Sequence, residues 1–512
     1  MASAPGRLSR NDNADTVLNE WIVASVAHQA VRDPAHLVDA NIFHPERGTL
    51  AYSEYLIVPA AMGAPLLWLG CSPVLVYNVL VLAGLTLTGW SAYLVIARWT
   101  GDAAAAAIAG VIVAFNAHTL TRLPQLQALH VELLLFALLA LDEILTASAR
   151  RARVRAAVAL ALIIVVQGLT SYYLLVFVTI AIAVGAAVRI EDWRSAGGRR
   201  LASLFLLTAA IVAVLLIPAL WPYVRLGHVR ELDEVAAYSA AWRDYLASLA
   251  RLHFGTWSAR FFGDPTALFP GVIALALTIV AVATGIAVRD RRARMALAFG
   301  VAGLALSFGP ALPGYALLYR LFLPLQGIRN AARFGYLAIV ATAILSGFAV
   351  AHIRRRWPRA RWTSAVVALL FIGANLDAWA APIELVDAER VSPLYASLAN
   401  TDAIVAEFPF YTADRLFRHA PYLLHATQHW RPMVNGYSGF VPASFLDHAR
   451  ELAHFPDARA MAALRALGVT HVFVHDRALR DWTDNETADA VPRTPGLERV
   501  AADGDLTLYS LR

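Results

Sequence analysis

The chain begins with polar stretches that read Asp15-Thr-Val-Leu-Asn-Glu-Trp21, Asp39-Ala-Asn-Ile-Phe-His-Pro45 and Leu50-Ala-Tyr-Ser-Glu54, and long apolar segments follow them almost without pause. Carboxylates, amides and a His-Pro step in front of apolar helices indicate a site at which a polar molecule is handled at a lipid boundary. The rest of the sequence decides whether the apolar part is a membrane domain.

Composition excludes an ordinary soluble protein. The 512 residues are 59% apolar, and the mean hydropathy is +0.55. Runs of roughly 16 to 24 apolar residues recur, each near the length that crosses a bilayer core. The single Cys71 excludes an internal disulfide and a thiolate metal cluster. The spacing predicts about ten spanning helices, near 74–97, 102–118, 125–146, 156–170, 173–189, 202–222, 267–288, 295–310, 335–354 and 363–381.

The net charge of +6 does not indicate a nucleic-acid partner, because the arginines cluster in short joints between apolar runs. If the ten segments alternate, all four joints lie on one side, which the positive-inside rule makes the cytoplasm. Both termini then face outward. The joints are Arg150 to Arg155, Arg189 to Arg200, Arg289 to Arg294 and Arg354 to Arg361.

Two segments fit this pattern less well. The run 54–71 contains two internal prolines and a glycine, which favours a re-entrant or interfacial helix over a full crossing. The pair 156–170 and 173–189 is split by Gly168-Leu-Thr-Ser-Tyr-Tyr173. Before them, Leu18, Ile22, Val26 and Ala30 line one face of a predicted amphipathic helix over residues 16–31.

The chain changes character beyond 382, where it becomes acidic and rich in turns. Leu464-Arg-Ala-Leu-Gly-Val-Thr-His-Val-Phe-Val-His475 predicts a helix end, a glycine cap and a strand. Leu506-Thr-Leu-Tyr-Ser-Leu511 predicts a terminal strand. The predicted architecture is a first external loop (1–53), an α-helical polytopic membrane domain (54–381) and a small extracytoplasmic α+β domain (382–512).

This layout, with the pattern Asp-x-x-Leu-Asn-x-Trp at residues 15 to 21, resembles the C-type (GT-C fold) multi-spanning membrane glycosyltransferases of bacteria that use polyprenyl-phosphate sugars. The resemblance covers the whole membrane part, but its motifs are short. It implies that Asp15 accepts the proton of an acceptor hydroxyl, with Asn19 and Trp21 at the substrate. From the residues alone, Asp15 is equally suited to cap the helix that follows.

The resemblance implies further acids at the site, and each has an alternative reading. Asp39 and His44 would hold the acceptor or a metal, although Asp39 could instead close an Asx-turn before Asn41. Glu54 would contact substrate or serve as a helix-dipole carboxylate. In the second external loop, Gln125 stands where similar proteins have His, which leaves Glu132 as the candidate acid beside His130. These two residues could also form a satisfied buried pair.

Cationic and aromatic candidates complete the predicted site. Arg329 and Arg333, four residues apart on one predicted helical face, and the nearby Arg320 would bind a lipid phosphate, or else reach lipid headgroups. In the tail, His429 and Trp430 suit either sugar binding or a structured turn. No His and carboxylate have metal-site spacing, so a divalent metal is possible but no cofactor is assigned.

The sequence therefore predicts an integral glycosyltransferase, hexosyl or pentosyl, of the bacterial cytoplasmic membrane. Its expected partners are membrane lipid, a polyprenyl-phosphate sugar donor and a glycan, lipid or protein acceptor. The alternatives are a transporter or flippase of lipid-linked glycans and a non-catalytic envelope assembly protein. Similar proteins have a spanning helix before the catalytic acid, whereas only polar residues precede Asp15. We therefore expect that an upstream helix is missing from this sequence.

Overall fold

The computed structural model describes residues 4–227, 229–262, 266–357, 361–380, 383–388 and 390–512. The predicted boundary between residues 381 and 382 lies outside this part, as do Arg359 and the side chain of Arg361 in the fourth arginine joint. Contacts divide the chain into two compact units. The first comprises Met1–Leu80 with Leu385–Arg512, and the second comprises Val81–Glu384. This grouping differs from the predicted three-part division, which stays a prediction.

The first unit begins with four elements, β1 Leu8–Ser9, α1 Ala14–Arg32, α2 Ile57–Trp68 and the start of α3 Pro73–Thr100. Asn13 caps α1, since its side chain accepts a hydrogen bond from the amide of Asp15. The prediction that Asp15 itself caps the helix was therefore wrong. The amphipathic prediction also needs correction, because α1 is buried on every face from Thr16 to Ala27, where it packs against α2 and the later helix over residues 420–425.

Among the described residues of the second unit, the regular elements are all helices. Its core consists of apolar side chains from most of its helices, and the helices Arg291–Ser307 and Gly335–Arg356 are in extensive contact. After α3 its helices are α4 Ala103–Ala114, α5 Ala117–Thr121, α6 Glu132–Thr146, α7 Arg150–Thr170, α8 Tyr172–Ala187, α9 Ile190–Ala196, α10 Gly198–Leu226, α11 Leu232–Ala237, α12 Arg251–Thr256, α13 Val272–Ala283, α14 Ile286–Arg289, α15 Arg291–Ser307, α16 Tyr315–Leu321, α17 Gly335–Arg356 and α18 Arg361–Ala378.

Within the described residues, five helices are long and apolar enough to cross a membrane, or six if α8 and α9, bent by 70°, form one broken span. The five are Pro73–Thr100, Ala103–Thr121, Arg150–Thr170, Gly198–Leu226 and Ala331–Arg356. Other predicted spans are shorter or interrupted. The segment predicted over 267–288, for example, is divided into α13 and α14 at Gly285, whose φ of 76° suits glycine. The predicted total of about ten spans stays a prediction.

The C-terminal part of the first unit is an α+β fold, as predicted. A four-stranded sheet has the order β3 (Val405–Phe408), β4 (His471–His475), β6 (Leu506–Leu511) and β5 (Leu497–Asp503). In it β3 and β4 are parallel and the other pairs are antiparallel. Gly468 ends α21 (Ala458–Ala466) with a φ of 71°, which confirms the predicted glycine cap before β4. The elements are β2 Val386–Asp387, β3 Val405–Phe408, α19 Ala420–His425, α20 Ala443–Leu452, α21 Ala458–Ala466, β4 His471–His475, α22 Asp476–Trp482, α23 Asn485–Ala490, β5 Leu497–Asp503 and β6 Leu506–Leu511.

The outer edge of β3 is covered by the segment 432–435. The amide of Val405 donates to Pro432, and the amide of Val434 donates to Val405. The side chain of Asn435 then extends the ladder, because it accepts from the amide of Glu407 and donates to its carbonyl, at 2.7 and 2.8 Å. Both bonds are buried, so an unpaired edge is avoided where β3 has no strand on that side.

We expect Asn435→Ala to destabilise the protein by about 2–4 kcal/mol, since it leaves the amide and carbonyl of Glu407 buried without partners. Asn375→Ala is the control, because the exposed Asn375 side chain makes a hydrogen bond of 2.8 Å within its own helix. Thermal unfolding in detergent measures both. Equal midpoints for the two variants would contradict the role assigned to Asn435.

Candidate functional site

Asp15 lies in the first turn of α1 and is partly exposed. Its Oδ1 accepts a hydrogen bond of 3.1 Å from the hydroxyl of Tyr437, which is contributed by the C-terminal part of the same unit. Ala14 and Val17, on the same turn, line a cleft of about 350 Å³ within this unit. Asp15 therefore lies between two residues that line the cleft, without lining it itself, and a tyrosine orients one of its oxygens.

The other candidates on α1 are buried. Asn19 lies one turn beyond Asp15 at 4% exposure, and Trp21 is 1% exposed. Trp21 therefore packs in the interior, with neither ring face open to a sugar. Between them, Glu20 is fully buried, and its Oε2 accepts from Asn11 at 3.2 Å. Burial raises the pKa of Glu20 to about 8, and the bond from Asn11 offsets only part of that rise.

This raised pKa predicts a pH-dependent stability. At a pH between the ordinary pKa of 4.5 and the raised value of about 8, Glu20 takes up a proton when the chain folds. Its contribution to the free energy of unfolding is therefore fully present below pH 4.5 and is lost as the pH rises through 8. We expect Glu20→Gln to unfold at a higher temperature than wild type at pH 8 and above, with the difference vanishing near pH 4.5. Asp12→Asn, at an exposed position, is the control. If the unfolding temperatures of wild type and Glu20→Gln instead change in parallel from pH 5 to 9, Glu20 is ionised in the folded protein.

Two predicted site residues in the loop between α1 and α2, Asp39 and His44, make hydrogen bonds that stabilise this loop. Oδ1 of Asp39 accepts from the amide of Gly48 at 2.6 Å, so Asp39 closes a longer turn than the predicted Asx-turn. The amide of His44 donates to the carbonyl of Met433 at 2.9 Å. Glu54 precedes α2, which starts at Ile57, so it lies outside the first turn and the helix-dipole reading was wrong. Asp39 thus stabilises the loop internally, and the backbone of His44 attaches it to the C-terminal part of the unit at Met433.

The aromatic tail motif is a structured turn. His429 is 2% exposed, its Nδ1 accepts from the amide of Arg431, and burial lowers its pKa to about 4. Arg431 donates to the carbonyls of Ala399 and Thr401. Trp430 is half-buried, and His28 stacks on one face of its ring at 4.3 Å. The other face of the Trp430 ring is left for a ligand. His429 is buried and bonded within the chain, which favours the structured turn over sugar binding.

A cluster that the sequence reading missed lies where β3, β4 and α19 meet. Oε1 of Glu407 lies 3.2 Å from Nδ1 of His425 and 2.6 Å from Nε2 of His475. The hydroxyl of Tyr395 donates to the same oxygen. Glu407 pairs in register with Phe473, and His475 lies two residues further along β4, so both side chains share one face of the sheet. A glutamate inside an apolar strand was the signal available in the sequence.

This cluster is buried but reaches the cleft described above. Glu407 is 1% exposed and His425 4%, while His475 and His425 both line the cleft. Burial raises the pKa of Glu407, but hydrogen bonds from His425 and His475 and their charges outweigh it and lower the pKa to about 2. Glu407 is therefore a carboxylate at neutral pH. Glu407, His425 and His475 are the described residues best placed to hold a metal ion.

In the second unit, Gln125 joins two arginines. Its Oε1 accepts from Arg122 at 3.1 Å and from Arg333 at 2.9 Å. The guanidinium of Arg333 lies over the ring of Tyr173, with 4.6 Å from its carbon to the ring centroid. Nε of Arg333 is buried and has no hydrogen-bond partner among the described residues. Arg122 and Tyr173 were not predicted as part of this cluster.

Arg329 does not share a helical face with Arg333, contrary to prediction. Residues 331–334 form one 3₁₀ turn, and Arg329 lies in the loop before it. Its guanidinium lies over a different ring, that of Tyr238, at 4.8 Å, while the amide of Arg329 donates to the Tyr173 hydroxyl. Arg320 is exposed at the end of α16, and the described contacts do not bring it to these residues. Arg122, Arg329 and Arg333 thus form the cationic group, with two tyrosines.

His130 and Glu132 form the predicted buried pair. Nδ1 of His130 lies 3.1 Å from Oε1 of Glu132, and Thr88 donates to the other carboxylate oxygen at 3.4 Å. His130 is 2% exposed and the Glu132 side chain 13%. This geometry fits the reading as a satisfied pair, although Nε2 of His130 has no partner among the described residues.

Neither protein-family models nor curated protein sequences match this chain. Solved structures do match it. The arabinofuranosyltransferase AftD from Mycobacteria is similar over 98% of this chain, with a TM-score of 0.62 and 16% identity. This chain spans only 40% of the AftD chain. ArnT from Cupriavidus metallidurans, solved with undecaprenyl phosphate, is similar over 96% of this chain and 93% of its own, with a TM-score of 0.55 and 14% identity.

These similarities define the class of fold. The chain has the GT-C fold of multi-spanning membrane glycosyltransferases that use polyprenyl-phosphate sugars, as predicted from its sequence pattern. At such low identity the match concerns the fold alone. The activity therefore has to be argued from the residues themselves.

Proposed function

We propose that the protein is an integral membrane glycosyltransferase that transfers a pentosyl or hexosyl group from a polyprenyl-phosphate donor to an acceptor hydroxyl outside the cytoplasmic membrane. The observation that carries the proposal is Asp15, a partly exposed carboxylate between two residues that line a cleft, in a chain with the GT-C fold. An outward position of the termini follows from the positive-inside rule applied to the arginine joints.

Asp15 is the proposed general base. A carboxylate beside an open space can take the proton of an acceptor hydroxyl as that oxygen attacks the anomeric carbon and the lipid phosphate leaves. The Tyr437 hydroxyl donates a hydrogen bond to Oδ1 of Asp15, which orients the carboxylate for this step. We retain Asp39 and Glu132 as candidate supports for the acceptor, although each already has the structural partner described above.

Arg329 and Arg333 are the proposed phosphate ligands. Their guanidinium planes are fixed by the rings of Tyr238 and Tyr173, and the partnerless Nε of Arg333 supplies a buried donor. Arginine forks bind phosphate oxygens in bidentate fashion. Undecaprenyl phosphate is the ligand with which ArnT was solved, and it has the phosphate that this cluster would bind.

We expect Arg333→Ala to raise the KM for a polyprenyl-phosphate sugar by about 10- to 100-fold, because a hydrogen bond to a charged group contributes about 1.5–3 kcal/mol. Radiolabelled pentose and hexose donors, supplied to purified protein in lipid nanodiscs with a hydroxyl acceptor, provide the measurement. Arg151→Ala, at an exposed position on α7, is the control. No turnover with any donor, together with tight lipid binding, would instead favour the flippase alternative.

A further inference from the structure

In the cluster of Glu407, His425, His475 and Tyr395, three polar atoms crowd around one carboxylate oxygen, which has only two lone pairs. The two ring nitrogens and the Tyr395 hydroxyl all converge on Oε1 of Glu407. Oε2 of the same carboxylate is buried and has no partner among the described residues. A buried carboxylate normally shares its hydrogen bonds between both oxygens, so this arrangement requires another explanation.

Several distances match a metal-ligand set, while Nε2 of His475 lies closer to Oε1 of Glu407, at 2.6 Å, than two zinc ligands would. The Tyr395 hydroxyl lies 3.1 Å from Nδ1 of His425 and 3.3 Å from Nε2 of His475. With His425 Nδ1 at 3.2 Å from Oε1 of Glu407, several edges of the set are near those of a tetrahedral zinc site, where ligand atoms lie roughly 3.3 Å apart. One ligand atom from each of Glu407, His425 and His475 lies within 4.8 Å of the others.

We propose that Glu407, His425 and His475 bind a Zn²⁺ ion, with the Tyr395 oxygen or a water molecule in the fourth position. Two imidazoles and a carboxylate favour zinc, whereas Ca²⁺ and Mg²⁺ prefer oxygen ligands. The ion would take the lone pairs of the two ring nitrogens, which removes the crowding of donors on Oε1. Zinc binding at these residues is independent of transferase activity.

The site has an entry path and a possible ligand space. His425 and His475 line the cleft of about 350 Å³, together with Asn11, Arg418 and Tyr422. A three-ligand zinc site that opens on a cleft keeps one position for an exogenous oxygen atom. The ligand class that fits is an oxygen donor, such as a sugar hydroxyl or a carboxylate, with Arg418 at hand for an anionic group.

The test uses the full chain, purified in detergent without a histidine tag, stripped by a chelator and titrated with ZnCl₂. We expect one equivalent of tightly bound zinc by elemental analysis and calorimetry, and tetrahedral absorption bands after Co²⁺ replacement. His475→Ala and Glu407→Gln should lower the zinc affinity by at least about 100-fold, beyond the loss typical of outer-shell changes. Zinc should raise the unfolding temperature of wild type but not of these variants.

His471→Ala is the matched control, because His471 lies at the other end of β4 and its Nδ1 contacts Thr470 instead. It should bind zinc as wild type does. Wild-type protein that takes up no stoichiometric zinc, a result independent of how the variants fold, would overturn the proposal. Equal zinc affinity in wild type and in folded His475→Ala would overturn it as well.

Discussion

Asp15→Asn is expected to lower kcat by about 10²- to 10⁴-fold, the usual contribution of a positioned general base. Asparagine has nearly the same shape as aspartate, and its Oδ1 can still accept the hydrogen bond that Tyr437 donates at 3.1 Å. The fold and the neighbouring cleft should therefore be unchanged. Only the capacity to take the acceptor proton is lost, so the KM for the donor should change little.

Two comparison variants make this result specific. Tyr437→Phe should lower kcat by a smaller factor than Asp15→Asn, because it removes the orienting hydrogen bond but keeps the base. Asp33→Asn should retain wild-type turnover, since Asp33 ends the same helix at the surface and pairs with His36. Turnover unchanged by Asp15→Asn would move the base to Asp39 or Glu132.

The helical part of the fold could be predicted because a long apolar run is a strong local signal. The segments predicted over 74–97 and 335–354 form α3 and α17 with small shifts at their ends. The start predicted at 125 was wrong, since α6 begins at Glu132. Gln125 is used instead to bridge Arg122 and Arg333, a contact across 208 positions that no local pattern contains.

The candidate sites show the same division between local and distant information. The Asp15 motif is readable because its residues lie within two turns of one helix. The Glu407 cluster is not, because its residues come from β3, α19, β4 and a 3₁₀ turn, and the strand register brings them together. The helical reading of Arg329 and Arg333 failed because the loop between α16 and α17 positions each arginine against a different tyrosine.

The sequence marks the arginine joints only as topology signals, yet residues from two of them form an ion-pair network with buried acids of the second unit. Arg189 is fully buried and donates at 2.6 Å to both Asp142 and Asp192. Arg292 and Arg291 donate to the remaining oxygens of these two acids, at 2.8 and 2.5 Å. The network thereby links α6, α9 and α15, three segments that are distant in sequence.

Arg189→Met is expected to destabilise the protein by about 3–5 kcal/mol, because it removes the central cation from two buried carboxylates. Arg98→Met should cost at most about 1 kcal/mol, since Arg98 is 63% exposed and lies 3.5 Å from Glu143. Unfolding by a denaturing detergent, followed through tryptophan fluorescence, compares the two.

A double variant with Asp142→Asn separates the charge effect from lost packing. If the buried charges cause the loss, the double variant should be less destabilised than the sum of the single variants, because neutralising Asp142 removes part of the uncompensated charge. Strict additivity would instead indicate that Arg189 contributes through its packed side chain. A loss for Arg189→Met no greater than that for Arg98→Met would show that the three helices are held by apolar contacts alone.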